Sequence, residues 1–258
     1  MQLSKNKLRE IAALKQRKTR EEQQLFTVEG EKLAQEILQS DWKINCICAL
    51  PEWISKNELL LKKTTDIFEI TEDQLHKISN LATPNKVLIV AVMPSKQKNE
   101  TPPDNELSLF LDGIQDPGNL GTIIRLADWF GIGTVACTPD TVEVYNPKVI
   151  QSTMGAFLRI KTIYVDPKEW LHNAKKLNLN IFGTFLGGTN LYQESLPAKG
   201  IIIMGNESKG ISKEMEVLTD KKITIPSFPP ERQGSESLNV AIAASIVCAE
   251  FRRQNSIK

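Results

Sequence analysis

The sequence predicts an α/β protein: a mostly parallel sheet in the C-terminal part, preceded by a smaller α/β domain. Two observations carry this. From residue 107 onward, short apolar runs alternate with helical patterns, the rhythm of strands in a parallel sheet covered by helices. Before that, a polar stretch with three prolines, Pro94 to Glu106, divides the chain and has the composition of a linker. With 258 residues, the chain is long enough for two ordinary cores. The expected organisation is a domain over 1–93, a linker over 94–106 and a second domain over 107–258.

In the N-terminal part, Leu8, Ile11 and Ala12 recur at helical spacing among basic residues, predicting an amphipathic first helix. A second helix fits Glu31 to Gln39, with Leu33, Ala34, Ile37 and Leu38 on its apolar side. Strands are expected at Ile44–Ala49 and Ile67–Ile70. Thr71 with Gln74 has capping-box spacing and opens a helix through Leu75 and Ile78. Val87–Met93 is a continuous apolar strand. Beyond the linker, strands are expected at Leu107–Leu111, Thr134–Cys137, Ile160–Val165, Asn180–Phe185, Gly200–Met204 and Lys222–Ile225. A long helix, Leu238–Arg253, closes the pattern. In such sheets ligands bind at loops leaving the carboxyl ends of the strands.

Composition excludes several classes. Apolar residues make up 41% and charged residues 24%, as in globular proteins. No apolar run is long enough for a transmembrane helix and the first twenty residues lack a signal peptide's apolar core, so a cytosolic protein is expected. Cys46, Cys48, Cys137 and Cys248 lack the paired Cys/His spacing of a zinc site; no metal is expected. The net charge is +1, but residues 1–20 hold Lys5, Lys7, Arg9, Lys15, Arg17, Lys18 and Arg20 against Glu10 alone. Such an excess can neutralise phosphates, and equally it can be a solvated helix face.

Two nucleotide-binding strings fail on context. Gly131-Ile-Gly133-Thr-Val-Ala136 has dinucleotide-fingerprint spacing, but its glycines end a helix and open a strand, the reverse of what the fingerprint needs. Gly131 fits a helix C-cap instead. Gly205-Asn-Glu-Ser-Lys-Gly210 has P-loop glycine spacing, but Ile211 follows where the phosphate-binding lysine is required.

Three strand-end segments hold the chemistry. In Asp116-Pro-Gly-Asn119-Leu-Gly121-Thr-Ile-Ile-Arg125, glycines permit a tight turn and the arginine fork suits a phosphate. The plainer account is an Asn cap and a surface arginine. In Met204-Gly205-Asn206-Glu207-Ser-Lys-Gly210, Gly205 is expected to leave room for a ligand, and Glu207 can accept hydrogen bonds. The plainer account is a glycine-rich turn with Glu207 near a helix N-terminus. In the third, the strand ending at Ile225 leads through a polar loop to Ser237-Leu238-Asn239-Val240. Ser237 is a natural N-cap, whereas Asn239, expected just inside an apolar helix, needs a partner.

Together the three segments, Asn119-x-Gly121-x-x-x-Arg125, Gly205-x-Glu207-x-x-Gly210 and Ser237-Leu238-Asn239-Val240, resemble the motifs of the SpoU (TrmH) family of RNA ribose 2′-O-methyltransferases, of the SPOUT superfamily. Thr153-Met-Gly-Ala156 resembles a further family stretch, with threonine where serine is common, and Phe26-Thr-Val-Glu29-Gly30 resembles part of its N-terminal RNA-binding extension. The resemblance implies a deep trefoil knot in the C-terminal domain and S-adenosylmethionine as cofactor. Cofactor contacts then fall to Met204, Gly205, Asn206, Gly210, Ile225 and Leu238, and the RNA-side catalytic set is Asn119, Arg125, Glu207, Ser237 and Asn239. It also implies a homodimer through the C-terminal domain and an RNA substrate, ribosomal in preference to transfer RNA. An inactive RNA-binding relative of the same fold is the alternative.

Overall fold

The computed structural model describes residues 1–61, 66–95, 100–229 and 237–255. They form two compact units, Met1–Lys96 with Tyr145–Leu158, and Gln97–Val144 with Arg159–Lys258.

The first unit has strands β1 (Leu25–Glu29), β2 (Ile44–Ala49), β3 (Ile67–Glu69) and β4 (Val87–Val92), in the order β1-β4-β2-β3. β4 runs antiparallel to β1 and β2, and β3 lies parallel to β2. The Thr71–Gln74 capping box forms in both directions. β1 escapes the periodicity search because it is buried on both faces, its carboxylate included. Glu29 is satisfied inside by Ser79 Oγ at 2.5 Å and by the Asn80 backbone and side-chain amides at 2.9 and 2.8 Å. The four cysteines are buried free thiols.

Two expectations change here. The sequence pattern places Tyr145–Leu158 within a 107–258 domain, but the segment packs in the first unit. Ile150 and Phe157 are buried in the same core as Phe26, Trp53 and Ile89, and Tyr145 and Phe157 put their rings 4.7 and 6.0 Å from that of Phe26. Aromatic burial of this kind outweighs chain order, since Phe and Tyr each bury about 150–250 Å². The basic N-terminus is also less free than its composition implies. Arg20 is buried and donates to the Leu14 and Lys15 carbonyls at 2.7 and 2.8 Å. Lys7, Arg17 and Lys18 pair with Glu10, Glu21 and Glu22. Lys5 and Arg9 are exposed and have no partner among the described residues.

The second unit has strands β5 (Leu107–Asp112), β6 (Thr134–Cys137), β7 (Lys161–Tyr164), β8 (Ile181–Asn190), β9 (Gly200–Gly205) and β10 (Lys221–Thr224). Their order is β10-β8-β9-β5-β6-β7, and every neighbouring pair is parallel. β8 runs past the expected Phe185 because it leaves β9 after Gly183 and pairs again with β10 through Thr189 and Asn190. Gly188 makes that crossing possible: a Cβ there would lie 2.7 Å from the Lys222 carbonyl oxygen. Residues 96–99 of the expected linker, and residues 230–236 of the segment expected in the knot, lie outside the described residues. Residues 100–106 belong to the sheet unit rather than hanging free: Lys161 pairs with Glu100 at 2.5 Å and Thr134 Oγ1 donates to Glu106.

Helix starts follow local chemistry. The helices Pro117–Trp129, Pro147–Thr153 and Pro167–Lys176 each open with proline after an Asp or Asn cap, because proline has no N–H to leave unpaired in the first turn. Gly131 (φ +62°) ends the first of these in a Schellman arrangement, with its own N–H on Asp128 O and that of Ile132 on Ala127 O.

Candidate active site

The sheet order reverses direction at β5 and β9: β6 and β7 follow β5 on one side, while β9, β8 and β10 lie on the other. Loops leaving such a switch point diverge and open a crevice. The register sets Asp112, last in β5, beside Gly205, last in β9. The loops that carry the first two motifs therefore start side by side.

After β9 the chain curls back at once. Asn206 N–H bonds Gly210 O and Gly210 N–H bonds Asn206 O, at 3.0 and 2.9 Å. The returning strand lies directly over Gly205, where a Cβ would come within 2.3 Å of Gly210 C and Ile211 N. The expected role of Gly205 is thereby corrected: the space a side chain would fill is taken by the protein's own backbone. Asn206 is likewise committed. Its Nδ2 donates to Gly113 O at 2.6 Å, and its Oδ1 accepts from Ser208 and Lys209 N–H at 3.0 Å each. Its side chain pins the turn to the loop after β5. The Met204 side chain is buried in the sheet beside Thr184.

Beyond β5, Asp116 caps the helix Pro117–Trp129 by accepting from Asn119 N–H at 2.8 Å. The cap is thus aspartate and not Asn119, and the asparagine side chain is left for other work. Asn119 Nδ2 donates to Glu207 Oε1 at 2.9 Å. Asn119 Oδ1 accepts from Asn239 Nδ2, also at 2.9 Å. Asn239 Oδ1 then accepts from Ala241 and Ile242 N–H at 2.9 and 3.3 Å, so Asn239 is the N-cap of the helix Val240–Asn255. The helix starts later than expected and Asn239, not Ser237, caps it.

The chemistry at the two ends fixes the direction of this chain. Backbone N–H groups can only donate and the Glu207 carboxylate can only accept, so each amide between them has a single orientation. Glu207 also receives longer contacts from the Gln115 and Asp116 amides, 3.5 and 3.4 Å. Asp116, Gln115 and the Asn206 brace escape the sequence motifs. The Asp-Pro pair at 116–117 is the signal for the first.

Other expected residues do not join the chain. Ser237 is exposed and makes no hydrogen bond with a described residue. Arg125 is exposed and has no hydrogen-bonded or ionic partner among the described residues. It lies on the helix that carries Asn119, surrounded in sequence by buried Ile123, Ile124 and Leu126. Ile225 is half-buried just past β10 and Leu238 is 49% exposed. His76 and His172 lie in helices away from the motifs. Among the described residues no cluster of His, Cys, Asp or Glu could hold a metal, and no helix is long and apolar enough to cross a membrane.

The site's donor set fits S-adenosylmethionine. Ile225, just past β10, and Leu238, just before the helix Val240–Asn255, offer apolar surface, and the backbone of the 205–210 turn past β9 offers hydrogen-bonding groups.

Known proteins share this architecture. Residues 106–249 match the SpoU rRNA methylase family model, and residues 5–89 match the MRM3-like substrate-binding domain. The 23S rRNA (guanosine(2553)-2′-O)-methyltransferase RlmP of Bacillus subtilis is 29% identical over 95% of this chain and 96% of its own. A TrmH-family structure from Porphyromonas gingivalis is 33% identical, covers 98% of this chain and 100% of its own, and superposes with a TM-score of 0.87. The AdoMet-bound rRNA methyltransferase from Sinorhizobium meliloti is 26% identical over 98% of this chain and 96% of its own, with a TM-score of 0.86. The chain belongs to the SpoU rRNA methylase family.

Proposed function

We propose that this protein transfers the methyl group of S-adenosylmethionine to a ribose 2′-hydroxyl of RNA, with ribosomal RNA preferred to transfer RNA. The observation that carries the reading is the Asn239–Asn119–Glu207 chain, which ties three distant motifs into one polar centre, with Arg125 on the same helix as Asn119 and without a partner among the described residues. The named activity of the Bacillus subtilis relative, similar over nearly its whole length, supports the ribosomal substrate. An enzyme of ribosomal RNA works where that RNA is, in keeping with the expected cytosolic location.

When bound, S-adenosylmethionine supplies an electrophilic methyl group on sulfonium. The 2′-hydroxyl must lose its proton as it attacks. Arg125 cannot take it, because guanidinium stays protonated in proteins. It instead grips the adjacent phosphate and stabilises the oxygen's developing charge, and that phosphate or a water receives the proton. Glu207, held by Asn119, and Ser237 and Asn239 orient the ribose. Such positioning makes the transfer effectively intramolecular. Ile225, Leu238 and backbone of the 204–210 segment hold the cofactor.

The protein acts as a homodimer through the second unit. In the helix Val240–Asn255, Val240, Val247 and Phe251 are buried within the chain, but Ile242 is 54% exposed and Leu238 precedes it at 49%. Apolar surface left at that end, next to Asn239, supports a second copy covering it.

The test is to incubate the protein with methyl-labelled cofactor and unmodified ribosomal RNA, then digest the RNA to nucleosides. Label in a 2′-O-methylnucleoside is the expected result; label confined to bases, or none, refutes the assignment.

A further inference from the structure

Trp129 is 85% exposed, while Trp53 and Trp170 are buried and Trp42 packs against the core of the first unit. It ends the helix Pro117–Trp129, four residues after Arg125. Residues four apart share a helix face, so the two side chains leave that face about 6 Å apart along the axis, a little over one turn. A second cation stands at the same helix end: Arg252 donates from Nε to Phe130 O at 2.7 Å and from Nη2 to Gly131 O at 2.9 Å. These are carbonyl partners, and among the described residues no carboxylate pairs with Arg252. The acids nearby are already engaged. Asp128 is held by Arg159 at 2.8 Å, and Glu250 by Arg253 at 2.7 Å.

A single exposed apolar residue is ordinary. An exposed indole on the helix face of one unpaired arginine, at a helix end that holds a second arginine without a carboxylate partner among the described residues, is not, because each feature suits a different part of one ligand. Aromatic faces stack on unpaired bases while arginines hold the phosphates between them. A second copy fits the face poorly, since an isologous contact centred on Trp129 would press two copies of one cationic patch together. We propose that Trp129, flanked by Arg125 and Arg252, is a stacking platform for an unpaired RNA base neighbouring the nucleotide at the reaction centre. The platform rests on the RNA-methylating reading above and names the form of RNA: the target's neighbour is single-stranded.

The probe is a single-stranded RNA of about ten nucleotides, within the range of stacking-groove site sizes, added to the full-length protein. Acrylamide quenching of tryptophan emission reports mainly on Trp129, because the other three tryptophans are shielded. Bound RNA should protect the emission several-fold in the wild type. Trp129→Ala should weaken RNA affinity by roughly tenfold or more, the scale of one stacked base, and Trp129→Phe should restore most of it. RNA that binds with Trp129 still fully quenched, or binds Trp129→Ala as tightly as wild type, overturns the platform alone. RNA that does not bind at all overturns the functional reading with it. A change of mass in light scattering on Trp129→Ala would show that a second copy covers the indole, which also overturns the proposal.

Discussion

Asn239 donates to Asn119 across 120 positions of sequence, at 2.9 Å, while its oxygen caps the helix behind it. One side chain thus serves both the fold and the site, and substitutions can separate the two. Serine can cap but is too short to reach Asn119. Asn239→Ser should keep stability within about 0.5 kcal/mol, whereas Asn239→Ala should lose about 1 kcal/mol with the cap. Both should slow methyl transfer by about tenfold or more through misplacement of Asn119 and Glu207. Thermal unfolding beside single-turnover transfer measures the two effects.

Gly205 offers a test of local geometry. A Cβ would meet backbone atoms of Gly210 and Ile211, which cannot rotate away as a side chain could. Gly205→Ala should therefore destabilise the protein by about 1–3 kcal/mol, as overpacking does, and lose cofactor affinity as the 206–210 turn shifts. Had the glycine cleared space only for a ligand, cofactor binding would fall in a protein of unchanged stability. Calorimetry of both unfolding and binding distinguishes them.

In the N-terminal helix, Lys5 and Arg9 are exposed without partners among the described residues, whereas Lys7, Arg17 and Lys18 are paired and Arg20 is buried. Phosphate binding should fall on the first two. Replacing both with alanine should weaken RNA binding and reduce the salt slope by about 0.7–0.9 for each phosphate no longer neutralised. Replacing Arg17 should do little to either. Deleting residues 1–93 outright is a poor test, because Ile150 and Phe157 would lose the core they pack in.

Regular elements of the second unit were legible because alternating strands and helices leave a periodic trace. All six of its strands fall within a few residues of expectation, apart from the extension of β8, which depends on a glycine crossing that no periodicity encodes. The motif residues were legible as types in a spacing, but their partners were not. That Asp116 rather than Asn119 caps the helix decides whether Asn119 is free to reach Glu207, and this turns on a three-residue shift. The placement of Tyr145–Leu158 was hidden for another reason: its aromatic residues find partners more than a hundred positions away, beyond what local pattern can report.

Arg125 is assigned to the transfer step and not to the cofactor, and the whole mechanism turns on that assignment. It is tested by single-turnover transfer from labelled S-adenosylmethionine to ribosomal RNA, with cofactor affinity measured in parallel so that binding and chemistry separate. Arg125→Ala should slow the step by about a hundredfold or more, the scale of losing an oxyanion-stabilising donor, with cofactor affinity unchanged. Arg125→Lys should recover little, since a point charge cannot reproduce a two-toothed grip on phosphate. Near-normal transfer by Arg125→Ala would refute this role and move the oxyanion's stabilisation to another group, with Glu207 the first to examine.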